Sequence, residues 1–139
     1  MTRTFLIATL FALAGCVQIP PSPQEIQSKK FESLPDKAVI YIVRNDADSK
    51  EAGALLLDDL TPLTTYHRTY YRWEVAPGSH RIAGFAGDNS ALKLDVRAGA
   101  VYYVEYTVHG SPWIGWAFTR LRSIDEQLGR RLVQGARLL

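Results

Sequence analysis

Hydrophobic and polar positions divide the chain into three zones. Residues 5–14 form an apolar run without charge behind the positive start Thr2-Arg3-Thr4. Residues 17–36 lose that character and hold Pro20, Pro21, Pro23 and Pro35 among Gln, Ser, Lys and Glu. From Lys37 onward, short runs of β-branched and aromatic residues alternate with turn formers, the pattern of a strand-rich domain. Residues 38–44 are apolar at successive positions, which predicts a strand buried on both faces near the middle of the fold. A polar loop over 45–51 precedes strands over 52–57 and 61–65, with a turn at Asp58-Asp59 between them.

Residues 66–75 alternate. His67, Thr69, Tyr71, Trp73 and Val75 fall on one face, taken as core-facing, and Tyr66, Arg68, Tyr70, Arg72 and Glu74 on the other. Pro77-Gly78 predicts a turn, because proline presets φ and glycine accepts a positive φ. Further strands are expected over 80–85, returning from the Pro77-Gly78 turn, over 92–96 with Leu92, Leu94 and Val96 inward, over 101–108 and over 116–122. Ser123-Ile124-Asp125-Glu126 matches a capping box, with Ser123 as the cap and Ile124, Leu128 and Leu132 as the apolar stripe of a short helix. The fold class expected is mainly β, an antiparallel β-sandwich or open barrel of about seven to eight strands with a short C-terminal helix.

The first zone has the layout of a secretory signal. A membrane-crossing helix needs about 20 apolar residues, and this run ends sooner, at Gly15-Cys16. Leu13-Ala14-Gly15-Cys16 resembles the lipobox of bacterial prolipoproteins, which implies cleavage before Cys16 and lipid on its thiol and new amino terminus. Cys16 is the only cysteine of the chain, so no internal disulfide can form, and lipidation accounts for a thiol that an exported protein would otherwise have to explain. One acyl chain anchors marginally and several hold stably. Val17 rather than Asp after the cysteine implies, by the sorting pattern of Gram-negative lipoproteins, passage to the outer membrane. The organisation expected is a signal over 1–15, a lipidated Cys16 with a flexible proline-containing tether to 36, and a β domain over 37–139; within the tether a short helical turn around Gln24 to Phe31, with Phe31 docked on the domain, is the alternative to a free coil. Fully extended at about 3.1 Å per residue, such a tether would reach roughly 60 Å.

Composition adds little to the fold but narrows the partners. The chain is 47% hydrophobic and 22% charged, ordinary for a globular domain. Of 16 Lys and Arg against 14 Asp and Glu, cleavage removes only Arg3, leaving a formal charge of +1. No concentrated basic face points to nucleic acid. Lys29-Lys30 and Arg130-Arg131 read as solvated surface.

Residues 37–44 followed by an acidic turn, residues 71–80 with Pro77-Gly78, and Ala98-Gly99-Ala100-Val101-Tyr102-Tyr103-Val104 together resemble a family of bacterial envelope lipoproteins called domain of unknown function 2846. The resemblance covers residues 37–133 and includes the final helix. It implies a fold and an envelope location and brings no catalytic residue with it.

Residue patterns that carry chemistry are sparse. His67, His80 and His109 have no metal-ligand spacing. Ser79, Ser90 and Ser111 lack a nucleophile elbow, and Ser79 and His80 are strand neighbours that face opposite ways. No dinucleotide fingerprint or phosphate-binding glycine loop occurs, so no cofactor is expected. Glu74, Asp95 and Glu105 are candidates for an acid–base pair across strands, or simply solvent-face carboxylates. The candidate binding face is Tyr66, Arg68, Tyr70 and Arg72, an alternating aromatic and cationic ladder suited to a glycan, an anionic polymer or a partner protein; the plainer reading is arginine stems packed over tyrosine rings. Trp113 is a candidate for contact with membrane or partner, or a cover for the core. Two functions follow: a non-catalytic, lipid-anchored envelope protein on the periplasmic side of the outer membrane that binds another protein, for instance at an exposed sheet edge, or serves as a structural accessory module, or else a lipid-anchored enzyme acting on wall or envelope polymer.

Overall fold

The computed structural model describes residues 19–45, 49–85, 90–111 and 116–139. The signal, Cys16 and Trp113 lie outside the described residues. Among the described residues no helix is long and apolar enough to cross a membrane.

The central strand is β1 (Ala38–Arg44), and all seven of its residues are buried. Its two faces feed two cores. Ala38, Ile40 and Ile42 point into one, Val39, Tyr41 and Val43 into the other. On one side β1 pairs antiparallel with β4 (Thr69–Val75), and on the other parallel with β7 (Val101–Ser111). Outside these lie β8 (Trp116–Ile124), antiparallel to β7, and the two-residue β9 (Arg137–Leu138), parallel to the start of β4. The five-stranded sheet therefore runs β8-β7-β1-β4-β9. A second, wholly antiparallel sheet contains β2 (Gly53–Leu57), β3 (Thr61–Thr65), β5 (Gly78–Phe85) and β6 (Ala91–Val96) in the order β3-β2-β5-β6.

The molecule is thus mainly β, two sheets with a short C-terminal helix. There are nine strands among the described residues, and the sheets are not antiparallel throughout. The β1–β7 pair is parallel because both strands start at one end of the sheet, where the Val39 N–H donates to the Ala100 carbonyl at 3.0 Å and the Gly99 N–H to the Leu34 carbonyl at 2.9 Å. On β6, Leu92, Leu94 and Val96 turn inward while Ala91, Lys93 and Asp95 are exposed, as alternation requires.

The second sheet covers one face of the first. Two helices cover the other. The C-terminal helix α2 (Glu126–Gln134) begins later than the capping box implies: Ser123 and Ile124 belong to β8, paired with Val104 and Tyr103, and the Asp125 carboxylate caps the Leu128 N–H at 2.9 Å. Ladder bonds to β7 hold Ser123 in the strand, so the next residue with a suitable oxygen takes the cap. The buried stripe is accordingly centred on Gly129 and Val133, with Leu128 and Leu132 at its margins.

The other cover is α1 (Pro23–Ser28), which lies within the expected tether. Ser22 caps it through a 3.1 Å bond from the Glu25 N–H, and Pro23 takes the first-turn position where no N–H is needed. The Tyr41 hydroxyl donates to the Ser28 carbonyl at 2.5 Å, and the Ser28 hydroxyl meets the Tyr70 hydroxyl. Phe31, at φ 58, enters the core with its ring centroid 5.4 Å from Tyr41 and 6.2 Å from Tyr103. The tether expected to run to residue 36 is therefore docked from Pro23 onward. Its apolar content is small, but one buried aromatic ring contributes roughly 2–3 kcal/mol, and the tyrosine hydroxyls supply partners for the helix end.

Helix α2 sits close to the sheet because Gly129 has no side chain. A Cβ there would lie 2.3 Å from Cγ of Tyr103 and 2.5 Å from its Cβ, atoms that cannot swing away. Gly129→Ala should therefore destabilise the domain by about 1–3 kcal/mol from overpacking, against the helix preference for alanine of about 1 kcal/mol. Urea denaturation would read this as a lower midpoint; an unchanged or raised midpoint would contradict the close packing.

Candidate binding face and sheet edge

The expected ladder does not form. Tyr66 is 55% exposed but precedes the strand, and Arg68 occupies the left-handed region at φ 57, so the chain turns over residues 66–68 and β4 starts only at Thr69. Tyr70 is 0% exposed, packed with Tyr41, Tyr103, Phe31 and Val133 beneath the helices. Burial raises the hydroxyl pKa of both Tyr41 and Tyr70 above the ordinary tyrosine value, so both remain neutral hydrogen-bonding groups. The Arg72 side chain is mostly covered and pairs with Glu74 on the same strand. Alternation correctly put Tyr70 and Arg72 apart from Tyr71, Trp73 and Val75, but it does not extend to Tyr66, His67 and Arg68, which lie in the turn, and neither His67 nor Thr69 joins the core expected of them. It misassigned the environment of Tyr70, because α1 and α2 cover the face taken to be open.

The same arrangement creates a different feature. The Arg137 N–H donates to the Arg68 carbonyl and the Leu139 N–H to the Tyr70 carbonyl, both at 3.0 Å. Main-chain groups of a strand alternate sides, so those of Arg72 and Glu74 face the same edge. There β9 has ended, and among the described residues no strand pairs with them. A groove of about 690 Å³ runs along this edge, walled by Pro23, Gln24 and Gln27 of α1, Leu34, Tyr71 and Leu138. Nothing in the hydrophobic pattern marks it, since it depends on where α1 docks and where β9 stops.

The carboxylates named as acid–base candidates are not brought together. Asp95 lies on β6 of the second sheet, Glu74 pairs with Arg72, and Glu105 is buried on β7. Burial pushes Glu105 up, but hydrogen bonds from Asn45 at 2.9 Å and Arg122 at 2.5 Å, with the charges of Arg122 and Arg120, outweigh it and hold the carboxyl below its ordinary range. Among the described residues no group of three or more His, Cys, Asp and Glu side chains is placed to hold a metal ion. His109 stacks on Phe118 at 4.6 Å.

His80 is more constrained than its turn-side position in the sequence indicates. Its Nδ1 lies 2.7 Å from an Asp58 carboxylate oxygen and its Nε2 2.8 Å from the Ala76 carbonyl, and its ring meets Trp73 edge-on at 5.4 Å. The other Asp58 oxygen accepts from the Arg81 N–H at 2.8 Å. Two acceptors around one ring favour the doubly protonated form. Burial opposes the charge, but Asp58 and the Ala76 carbonyl prevail and raise the pKa above 6.5.

In comparisons with protein-family models and with curated proteins, nothing matches this chain.

The His80 clamp sets a pH dependence. A folded-state pKa above the ordinary 6.5 means its stabilisation is fully present below about pH 6.5 and is lost as pH rises through the higher folded value. The melting temperature should fall across that window, and His80→Gln should flatten the slope while lowering stability at acid pH. An identical slope in the variant would assign the effect elsewhere.

Proposed function

We propose that this chain is a lipid-anchored protein of the bacterial envelope, non-catalytic, that binds another protein on the periplasmic side of the outer membrane. The observation that carries the reading is the position of the sole cysteine: Cys16 closes a charged-then-apolar leader within Leu13-Ala14-Gly15-Cys16. The resemblance of residues 37–133 to domain of unknown function 2846 agrees with the same location. Binding is supported by the edge of β4, where the main-chain groups of Arg72 and Glu74 line a groove. An extended segment can add to such an edge, its main chain giving affinity and alternate side chains giving specificity.

Two experiments test the parts separately. Cys16→Ser should leave an unprocessed precursor that incorporates no labelled fatty acid; labelled lipid on that variant would remove the anchor. For the binding step, proline at Arg72 deletes a donor on the open edge and spares the β1 ladder, a position where strands tolerate it. Arg72→Pro should cost the fold on the order of 1–2 kcal/mol and abolish recovery of a stoichiometric partner crosslinked to the native protein in membranes. Undiminished recovery from a folded variant would place the contact away from this edge.

A further inference from the structure

We infer that the domain lies directly on the bilayer, with α1, β9 and the turn at residues 66–68 as its lipid-facing end; this rests on the anchor at Cys16 proposed above. Because α1 is docked from Pro23, only residues 17–22 separate the acylated cysteine from the folded body. Fully stretched, that leash spans about 25 Å rather than the roughly 60 Å of a free tether. Ile19 is nearer still. Its carbonyl accepts from Nη2 of Arg137 on β9 at 3.4 Å, and three residues from Cys16 its Cα can stand no more than about 13 Å from the acylated sulfur. The headgroup layer on each side of a bilayer is about 5–8 Å thick. Ile19, with β9 beside it, is therefore held among the headgroups or just outside them.

The chemistry of this end matches the position. Ile19 is 68% exposed and Ile26, on α1, 54%. Leu139 and Tyr66 are also exposed. The parts are joined: Lys29 Nζ donates to the Ala136 carbonyl at 2.7 Å and to its own helix's Glu25 at 2.7 Å, and the Arg137 N–H binds the Arg68 carbonyl. Glu25 is thereby neutralised, and Glu32 accepts from Gln27. Lys30, Arg68 and Arg137 have no carboxylate partner among the described residues. Isolated aliphatic side chains, a tyrosine and unpaired cations are the composition that settles among phospholipid headgroups, where Tyr takes the interface and Lys and Arg meet anionic lipid.

The test uses the lipidated protein purified from membranes and reconstituted in vesicles of phosphatidylethanolamine with a minor share of phosphatidylglycerol. The proposed thioether blocks the natural thiol, so Ile26→Cys or Leu60→Cys offers a single site for an environment-sensitive fluorophore. Leu60 is the distal control, 83% exposed in the turn between β2 and β3 of the far sheet. Headgroup-level spin-labelled lipid should quench the probe at 26 several-fold more strongly than at 60, with a blue-shifted emission at 26 only. Equal quenching at both sites on protein that floats with the vesicles and carries its lipid would overturn the inference and leave the anchor standing. Protein with an unmodified residue 16 that fails to float would remove the anchor, and the inference with it.

Discussion

The arrangement turns on the hydroxyls of Tyr41 and Tyr70 meeting Ser28. Tyr41 donates to the Ser28 carbonyl and Tyr70 meets the Ser28 side chain, so the end of α1 is fixed to the middle of the five-stranded sheet. A buried hydroxyl without a partner costs about 1–3 kcal/mol, and a helix of six residues is not stable alone. Each side therefore needs the other. Phe31 completes the contact by packing against both Tyr41 and Tyr103, which stack on each other at 5.5 Å, with the Arg130 guanidinium over the Phe31 ring at 4.8 Å.

A second buried group holds the opposite end of β1. Arg44 is almost fully covered, yet it donates to the carbonyls of Glu51 at 2.8 Å, Ser49 at 2.7 Å and Thr65 at 3.3 Å. These oxygens lie in the connection from β1 to β2 and at the end of β3, so one guanidinium ties the first sheet to the second. Its planar fork suits several carbonyls at once, which an ammonium would not. Between this tie and the tyrosine contacts, β1 is fixed at both ends, and the strands beside it inherit their positions.

Function, as proposed, follows from what these contacts leave open. Docking α1 closes the sheet face that would have displayed Tyr70 and forms one wall of the groove along β4. It also takes up most of the chain that would otherwise separate domain from membrane. The groove and the lipid-facing end share α1 and β9, so a partner using the β4 edge would meet the domain close to the bilayer.

The hydrophobic pattern alone specified the strands from 38 to 44, 61 to 65 and 92 to 96, because period-two burial is a local property, whereas the strand after Pro77-Gly78 does not return beside β4 as expected but crosses to the second sheet as β5. Burial of β1 on both faces was also legible, since seven consecutive residues that avoid charge until Arg44 have no solvent side. The helical turn near Gln24 to Phe31 and the C-terminal helix were legible as elements, but not that both lie over β4: alternation says which residues share a face, not whether that face meets water. That was decided by α1, whose own residues are too polar and too few to form a helix without the sheet. The parallel β1–β7 pair, the short β9 and the open main-chain groups of Arg72 and Glu74 were likewise set by how the ends of distant segments meet. Pairing between strands far apart in the chain depends on the packed whole, whereas the choice between strand and turn depends on a few neighbouring side chains.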